Sequence, residues 1–398
     1  MSAQKILILG AGAAGTAAAR VLGNSDAVTV TLIGRTDETP YNRTLVNKGI
    51  AIGLLTPEQA VLPGLDATND TAIEVDADAR IVRLESGRTE HYDALLIATG
   101  SAPRDLDADL AVAEATVTGR ITALHSLHEA VTVRDLLASL GRPARVVISG
   151  AGLVAGETAT LLRDRGHDVT LLARAATPGI SVFGPELAEK LAAAHQANLH
   201  TAFGRTITSL IETEDGVQLT LDDGTVLPAD VLIVAHGTTP TAPAPWGSGV
   251  AVDGDLRTAT PHVYAAGGVA IHEDPALGTW RIDHWSDAAA QGEHAARTLL
   301  ADLGVGDQPG PYQPRAPFTA TIHGAMIAGA GLTGHHGAAR PQSADPLVIL
   351  HEQGSVPVGV LGLDAVPAVF GWMPHLYTPA DTDGDTLAVT AARTADSK

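Results

Sequence analysis

Cysteine is absent from all 398 residues. Its absence excludes a catalytic thiolate, a disulfide, a cysteine zinc site and an iron–sulfur cluster held by this chain. Positive charge is scarce as well: 25 basic side chains face 45 acidic ones, a formal net charge of −20. That balance disfavours nucleic acid or an anionic membrane as a partner for the molecule as a whole, local basic patches aside. Aromatic residues make up only 3%, and there are four lysines, Lys5, Lys48, Lys190 and Lys398. Residues 6–22 could be mistaken for a signal peptide, but they carry three glycines at fixed spacing and meet Arg20 before any cleavage-like site. They read as strand, turn and helix, and the chain reads as cytoplasmic, without a transmembrane span. No His or Asp cluster has metal-ligand spacing, so no metal is expected; His335 and His336 lie in a Gly-rich loop and read as solvated.

What remains is the composition of a globular protein, 45% hydrophobic and 18% charged with 42 glycines. The length suits two to three domains with a sizeable core. Two segments share one grammar. Residues 5–9 are an apolar strand, followed by Gly10-Ala11-Gly12-Ala13-Ala14-Gly15, an alanine-rich helix and a second strand at 28–33. Arg145–Ser149, then Gly150-Ala151-Gly152-Leu153-Val154-Ala155 and a strand at 169–172, repeat it. Each is a βαβ unit of the length a dinucleotide fold needs. The repetition extends further, because the run from Gly87 through Asp93 to Ala98-Thr99-Gly100 and Pro103 matches the run from Gly224 through Asp230 to Ala235-His236-Gly237 and Pro240 position for position. One glycine motif alone is weak; two, each with a returning strand at matched spacing, indicate duplication of a whole nucleotide-binding module. Later in the chain, residues 263–268 read as a strand ending on glycines, 286–303 as an amphipathic helix and 304–317 as a Gly- and Pro-rich linker. Strands are expected at 347–350 and 356–361, and a polar, frayed stretch at 378–398.

With these motifs in place, the sequence resembles FAD-dependent pyridine-nucleotide reductases of the ferredoxin/rubredoxin reductase class, related to the apoptosis-inducing-factor and glutathione-reductase superfamily. The residues carrying the resemblance are the first glycine motif, the run from Pro40 and Tyr41 through Arg43 to Lys48, Ala98-Thr99-Gly100, the second glycine motif as far as Glu157, Gly267-Gly268, and Arg281-Ile282-Asp283-His284-Trp285 with Gln291-Gly292. It implies an α/β fold: two Rossmann-like (three-layer ββα) dinucleotide-binding domains plus a small C-terminal α+β interface domain. The implied FAD domain, residues 1–112 and 244–312, is split around an NAD(P) domain at 113–243, with the interface domain at 313–398.

The first glycine turn must let backbone approach a pyrophosphate, so Gly10, Gly12 and Gly15 leave room and the helix opening at Ala13 and Ala14 directs its positive end at the phosphates. An acidic residue ordinarily follows the second strand and grips the adenosine ribose; here Gly34-Arg35-Thr36 stands at that corner. The family pattern of Gly-Asp at 267–268 is likewise replaced by Gly267-Gly268. Three outcomes fit: FAD bound more loosely, compensation by Arg35 stacking on adenine or by Arg43, or a degenerate member without flavin. The resemblance places Lys48 and Glu157 together beside flavin N5, where a buried cation paired with a carboxylate would position the ring and favour its negative charge on reduction. Ala98, Thr99 and Gly100 would complete the FAD site, and the helix start at His284 and Trp285 would aim its N–H groups at the flavin, with His284 a core or cap histidine. Gly150, Gly152, Leu153, Val154 and Gly237 would receive the nicotinamide nucleotide. There the expected acid gives way to Ala173-Arg174, which leans the donor from NADH toward NADPH because Arg174 can accept a 2′-phosphate. Phe318-Thr319-Ala320-Thr321-Ile322 stands where the family has Trp and Asp, leaving the acceptor open.

The leading expectation is an FAD-dependent NAD(P)H oxidoreductase passing electrons to a ferredoxin- or rubredoxin-type iron–sulfur protein. The alternatives are an NAD(P)H oxidase or quinone-type flavin reductase, and a nucleotide-binding scaffold that has lost flavin. Relatives that act on disulfides or peroxides need a cysteine, so those activities are excluded. A cluster drawn from Arg134, Arg142, Arg145, Arg163 and Arg165 is the candidate dock for an acidic partner. No nucleic-acid or membrane partner is expected, and the chain is expected to be a monomer or homodimer.

Overall fold

The computed structural model describes residues 3–106, 112–113 and 119–379; the frayed stretch expected at the C-terminus lies, from residue 380 on, outside them. The chain divides into two compact units. One comprises Met1–Arg43, Glu58–Ala102 and Thr238–Ala316, the other Thr44–Pro57, Pro103–Gly237 and Pro317–Lys398.

The first unit is built on a five-stranded parallel sheet in the order Val263–Ala265, Ala94–Ile97, Gln4–Leu9, Val28–Gly34, Thr68–Asn69. Ile6, Leu7 and Ile8 are fully buried on both faces of the central strand, which is why this strand reads as a continuous apolar run instead of alternating. The helices Ala13–Leu22 and Trp285–Asp302 contribute Ala14, Ala18, Leu22, Ala295, Ala296 and Leu299 to its core. An antiparallel layer, Ala72–Asp76, Ile81–Leu84 and Thr89–His91, adds Val75, Val82 and Leu84. Helix, sheet and antiparallel layer together make the three-layer arrangement.

The second unit repeats this plan. Its parallel sheet runs Ile121–Thr122, Val231–Val234, Arg145–Ser149, Asp168–Ala173, His200–Phe203, and its antiparallel layer is Ile207–Thr213, Gly216–Leu221 and Val226–Ala229 with Val112–Ala113 alongside. The duplication is visible bond by bond. Gly10 N–H donates to the Ile33 carbonyl and Gly150 N–H to the Leu172 carbonyl, both at 2.8 Å; Ala98 N–H donates to Leu9 and Ala235 N–H to Ser149, both at 2.7 Å. Asp93 accepts from the Lys5 N–H at 2.7 Å and Asp230 from the Arg145 N–H at 2.8 Å. The matched aspartates are therefore structural: each carboxylate accepts from an amide at the start of the central strand, the second residue of Gln4–Leu9 in one unit and the first of Arg145–Ser149 in the other. Asp230 is fully buried and is also clamped by the Arg142 and Arg145 guanidinium groups, which hold its carboxyl far below the usual range.

A five-stranded antiparallel sheet ends the second unit, in the order Pro317–Ile322, Ala325–Gly331, Val356–Leu363, Leu347–Gln353, Ala338–Ala344, with the helix Val366–Trp372 against it. The two expected strands lie at its centre. The other three carry weaker sequence signals: Ala325–Gly331 is interrupted by glycines, and Ala338–Ala344 is polar and mostly exposed. Gly329 is needed because a Cβ there would meet the Phe318 ring at 2.6 Å from Cε1.

Candidate active site

Both glycine turns sit at the carboxyl edge of their parallel sheet, where α/β folds bind nucleotides. Gly10 and Gly150 adopt φ of 110° and 124°. A Cβ on either would collide with the carbonyl oxygen of Ala98 or Ala235, so only glycine lets the turn pass the neighbouring strand end. Gly12 and Gly152 are the N-caps of Ala13–Leu22 and Leu153–Asp164, neither helix has a side-chain cap or an acid in its first turn, and a Cβ on either glycine would meet nothing within 4 Å. The helix Leu127–Ser139, by contrast, is closed by a capping box of Ser126 and Glu129. The two glycine-turn helices thus keep their N–H donors facing open space, and their residues fit a dinucleotide pyrophosphate.

Around the first turn, Thr99 Oγ1 donates to the Thr241 carbonyl at 2.5 Å, and Arg43 lies over the Tyr41 ring at 5.8 Å. Arg35 is exposed beyond the strand Val28–Gly34. Gly267 packs against the start of the first helix, since a Cβ there would stand 3.0 Å from the Ala14 Cβ. Its N–H donates to Gln291 Oε1 at 2.8 Å. Gln291 in turn donates to Asp287 at 2.7 Å, and Tyr312 donates to the other Asp287 oxygen at 2.7 Å. His272 Nε2 lies 3.2 Å from Gln291 Oε1, with its ring stacked on Trp280 at 3.6 Å. Burial pushes Asp287 up to about 6 and His272 down to about 4. His284 is the N-cap of Trp285–Asp302, without a side-chain capping bond.

In the second unit, Lys48 Nζ pairs with Glu157 Oε1 at 2.9 Å. Lys48 lies on a single π-helical turn, Val46–Ile50, and Glu157 on Leu153–Asp164. Thr321 N–H donates to the same carboxylate oxygen at 3.2 Å, and Lys48 reaches the Thr319 carbonyl at 3.4 Å. Burial raises the Glu157 carboxyl, and the Lys48 ammonium opposes the rise. The contacts from Thr319 and Thr321 were not legible in the sequence, because backbone groups make them. Arg174 is exposed after the strand Asp168–Ala173, and His236 at the end of Val231–Val234 bonds Ser149 Oγ at 2.8 Å. Gly237 is open, and Val154 is 49% exposed in the first turn of its helix. The candidate arginine dock is largely engaged within the unit: Arg142 and Arg145 hold Asp230, Arg134 holds Asp135, Arg163 holds Asp164, and Arg165 donates to the Ile52 carbonyl. Among the described residues, no group of three or more His, Cys, Asp or Glu could hold a metal ion, and no helix is long and apolar enough to cross a membrane.

The sequence profile of pyridine nucleotide-disulphide oxidoreductases matches residues 4–292, which takes in both glycine turns, Lys48 and Glu157. The chain belongs to the pyridine nucleotide-disulphide oxidoreductase family. Membership implies FAD and a nicotinamide dinucleotide as cofactors. Among curated members, the chain is 31% identical over 326 residues to the ferredoxin–NAD(+) reductase component of an anthranilate 1,2-dioxygenase system from Burkholderia cepacia, covering 75% of this chain and 76% of that one. It is 28% identical over 318 residues to the corresponding component of the p-cumate 2,3-dioxygenase system of Pseudomonas putida, covering 75% of each. The crystal structure of a ferredoxin reductase for the CYP199A2 system of Rhodopseudomonas palustris superposes with a TM-score of 0.81 at 25% identity, covering 98% of this chain and 100% of that one. The reductase of known structure shares the two-module fold described above.

Proposed function

We propose that this family member is an FAD-dependent NAD(P)H reductase that delivers electrons to a ferredoxin- or rubredoxin-type iron–sulfur protein. The observation that carries the reading is the pairing of two uncapped glycine-turn helices with the Lys48–Glu157 ion pair in a chain without cysteine. The names of the curated relatives support the acceptor class. When bound, FAD supplies the chemistry of accepting hydride and releasing electrons singly. The residues of the chain supply the binding and electrostatics. The N–H groups after Gly12 hold the flavin dinucleotide's pyrophosphate, assisted by Ala98, Thr99, Gly100, Gly267 and Gly268, and those after Gly152 hold the nicotinamide dinucleotide's. Glu157 and the Thr319 carbonyl hold the Lys48 ammonium in one place, where it favours negative charge on the flavin ring. Arg174, with no carboxylate at the strand end beside it, favours NADPH over NADH. The proposed domain limits remain 1–112 with 244–312, 113–243 and 313–398.

A visible spectrum of the purified protein, then anaerobic titration with NADPH and NADH and mixing with a ferredoxin, tests the whole reading. A flavin spectrum bleached preferentially by NADPH, with electrons passed on to the ferredoxin, is expected. Protein that stays colourless after incubation with FAD would overturn it. The net charge and the engaged arginines favour a second reading, with oxygen or a quinone as acceptor. Rapid NADPH consumption in air, undiminished when the ferredoxin is omitted, would select that reading.

A further inference from the structure

The hairpin turn that follows Thr321 and Ile322 is fastened to two helices of its own unit by a pair of histidines. The strands Pro317–Ile322 and Ala325–Gly331 are joined by His323 and Gly324 alone, with Ile322 opposite Ala325. Both turn residues have positive φ, 49° at His323 and 87° at Gly324. A two-residue turn of that hand favours Asn, Asp or Gly at its first position, so histidine there carries a local conformational cost. Its ring is engaged through both nitrogens. Nε2 lies 2.9 Å from Nδ1 of His195, on the helix Ile180–Asn198, and Nδ1 lies 3.4 Å from Thr160 Oγ1, on Leu153–Asp164. The His323 N–H donates to the same hydroxyl at 3.1 Å. Thr160 gives its own hydroxyl proton to the Gly156 carbonyl at 2.8 Å, so toward His323 it is an acceptor. His323 therefore carries its proton on Nδ1 and leaves Nε2 bare, and His195 Nδ1–H is the donor to it. Burial holds His195 down at about 4 and lowers His323 as well, with Arg163 adding to the second shift and Asp164 opposing it. Both rings are thus uncharged at neutral pH, as a single N–H···N bond between them requires.

Gly156, Glu157 and Thr160 of one helix all meet the same strand and its turn. A Cβ on residue 156 would stand 2.6 Å from Ile322 Cδ1 and 3.3 Å from His195 Cε1, so glycine lets the strand come close. Glu157 takes the Thr321 N–H and Thr160 the His323 N–H. The Thr321 amide and the Thr319 carbonyl are the groups by which this strand touches Glu157 and Lys48, so a shift of the turn displaces both contacts together. We propose that Thr160, His195 and His323 are positioning residues for flavin reduction: they clamp the strand Pro317–Ile322 to the helix Leu153–Asp164 and so hold the Lys48 ammonium and the Glu157 carboxylate in register. The clamp accounts for a histidine at a turn position that disfavours it. The inference rests on the flavin reading above and extends it to residues that act through the ion pair.

Two measurements on the full-length protein test it. The first needs no flavin: the Glu157 carboxyl is followed by carbon NMR and assigned with Glu157→Gln. It is expected to titrate at higher pH in His323→Ala than in wild type, because the Thr321 N–H that favours its charged form is loosened. The second is stopped-flow bleaching of bound FAD by saturating NADPH. His323→Ala is expected to slow it about tenfold, the scale of a small misplacement of a reacting group. His323→Gln, whose side-chain carbonyl can accept from His195 in place of Nε2, is expected to keep most of the wild-type rate. In a Lys48→Ala background, His323→Ala is expected to slow bleaching no further, since the clamp acts through the ammonium. Thr160→Val removes the shared hydroxyl and keeps the shape, and it carries both measurements if His323→Ala does not fold. An unmoved Glu157 titration in a protein that binds FAD would overturn this proposal alone. So would slowing that adds in full to that of Lys48→Ala, or a Gln variant as slow as the Ala variant, either of which makes the histidines a general brace. A wild-type protein that takes up no FAD would overturn the flavin reading and, with it, the reaction the clamp serves.

Discussion

Glu157 is buried, and its carboxyl is raised by that burial against the pull of Lys48. The ammonium is thus the group that opposes the rise, and the carboxylate helps hold the ammonium in place. Lys48→Ala removes the positive charge and lets the Glu157 carboxyl climb further, because the opposing cation is gone. Stopped-flow bleaching of the flavin by saturating NADPH should slow by about ten- to a hundredfold in this variant, the scale of losing one preorganised electrostatic contact. An unchanged rate would remove Lys48 from the reaction. Arg174 makes a second residue-scale prediction. Arg174→Ala should raise the NADPH dissociation constant about tenfold, the scale of one charge-assisted hydrogen bond, while NADH binding moves little. Equal effects on both nucleotides, measured by equilibrium titration, would mean that the guanidinium does not face the 2′-phosphate.

Within the helix Trp285–Asp302, Asp287 and Gln291 form one buried polar relay to the Gly267 turn, and His272 and Tyr312 close it from the other side. The two titratable members pull stability in opposite directions. Asp287, raised to about 6 from 3.8, contributes stability that is present below pH 3.8 and lost as pH rises through 6; His272, lowered to about 4 from 6.5, contributes stability that is present above pH 6.5 and lost as pH falls through 4. Each shift amounts to about 3 kcal/mol, so the two nearly cancel between pH 4 and 6. Asp287→Asn removes one side of that balance. Chemical denaturation of the variant should show a fall in stability on acidification from pH 7 to 4 that exceeds the wild-type fall by up to about 3 kcal/mol. Parallel pH curves would show that Asp287 titrates normally. The Asp230 clamp makes a companion case. Asp230→Ala strips the acceptor from the Arg145 N–H and from two guanidinium groups, and should cost about 2 to 3 kcal/mol in urea unfolding. A loss under 0.5 kcal/mol would contradict that role.

For the molecule as a whole, the net charge of −20 bears on the partner more than on the fold. An acidic iron–sulfur partner is repelled at long range, so electron delivery to it should speed up as salt rises from about 10 to 200 mM and the Debye length shrinks from about 30 Å to under 10 Å. Delivery that slows with salt would point to a basic docking face that outweighs the overall balance.

Much of the fold was legible in the sequence. Fully apolar strands followed by glycine turns have few other solutions than a covered parallel sheet with a nucleotide at its carboxyl edge, and the repeat from Gly87 to Pro103 and from Gly224 to Pro240 made the duplication explicit. The absence of cysteine, a property of composition alone, removed thiol chemistry before any coordinate was known. Strands such as Ala338–Ala344 were not legible, because their pairing partners, not their own residues, hold them in the sheet. Tertiary structure alone decided the contacts made by backbone groups or by side chains distant in sequence. Thr319 and Thr321 reach Lys48 and Glu157 through a carbonyl and an amide, which no side-chain pattern announces. The glycine at 268 reads in the sequence as a missing carboxylate. In the folded chain it is the space into which Asp283 projects, because a side chain from one loop can enter only where the backbone of another leaves room.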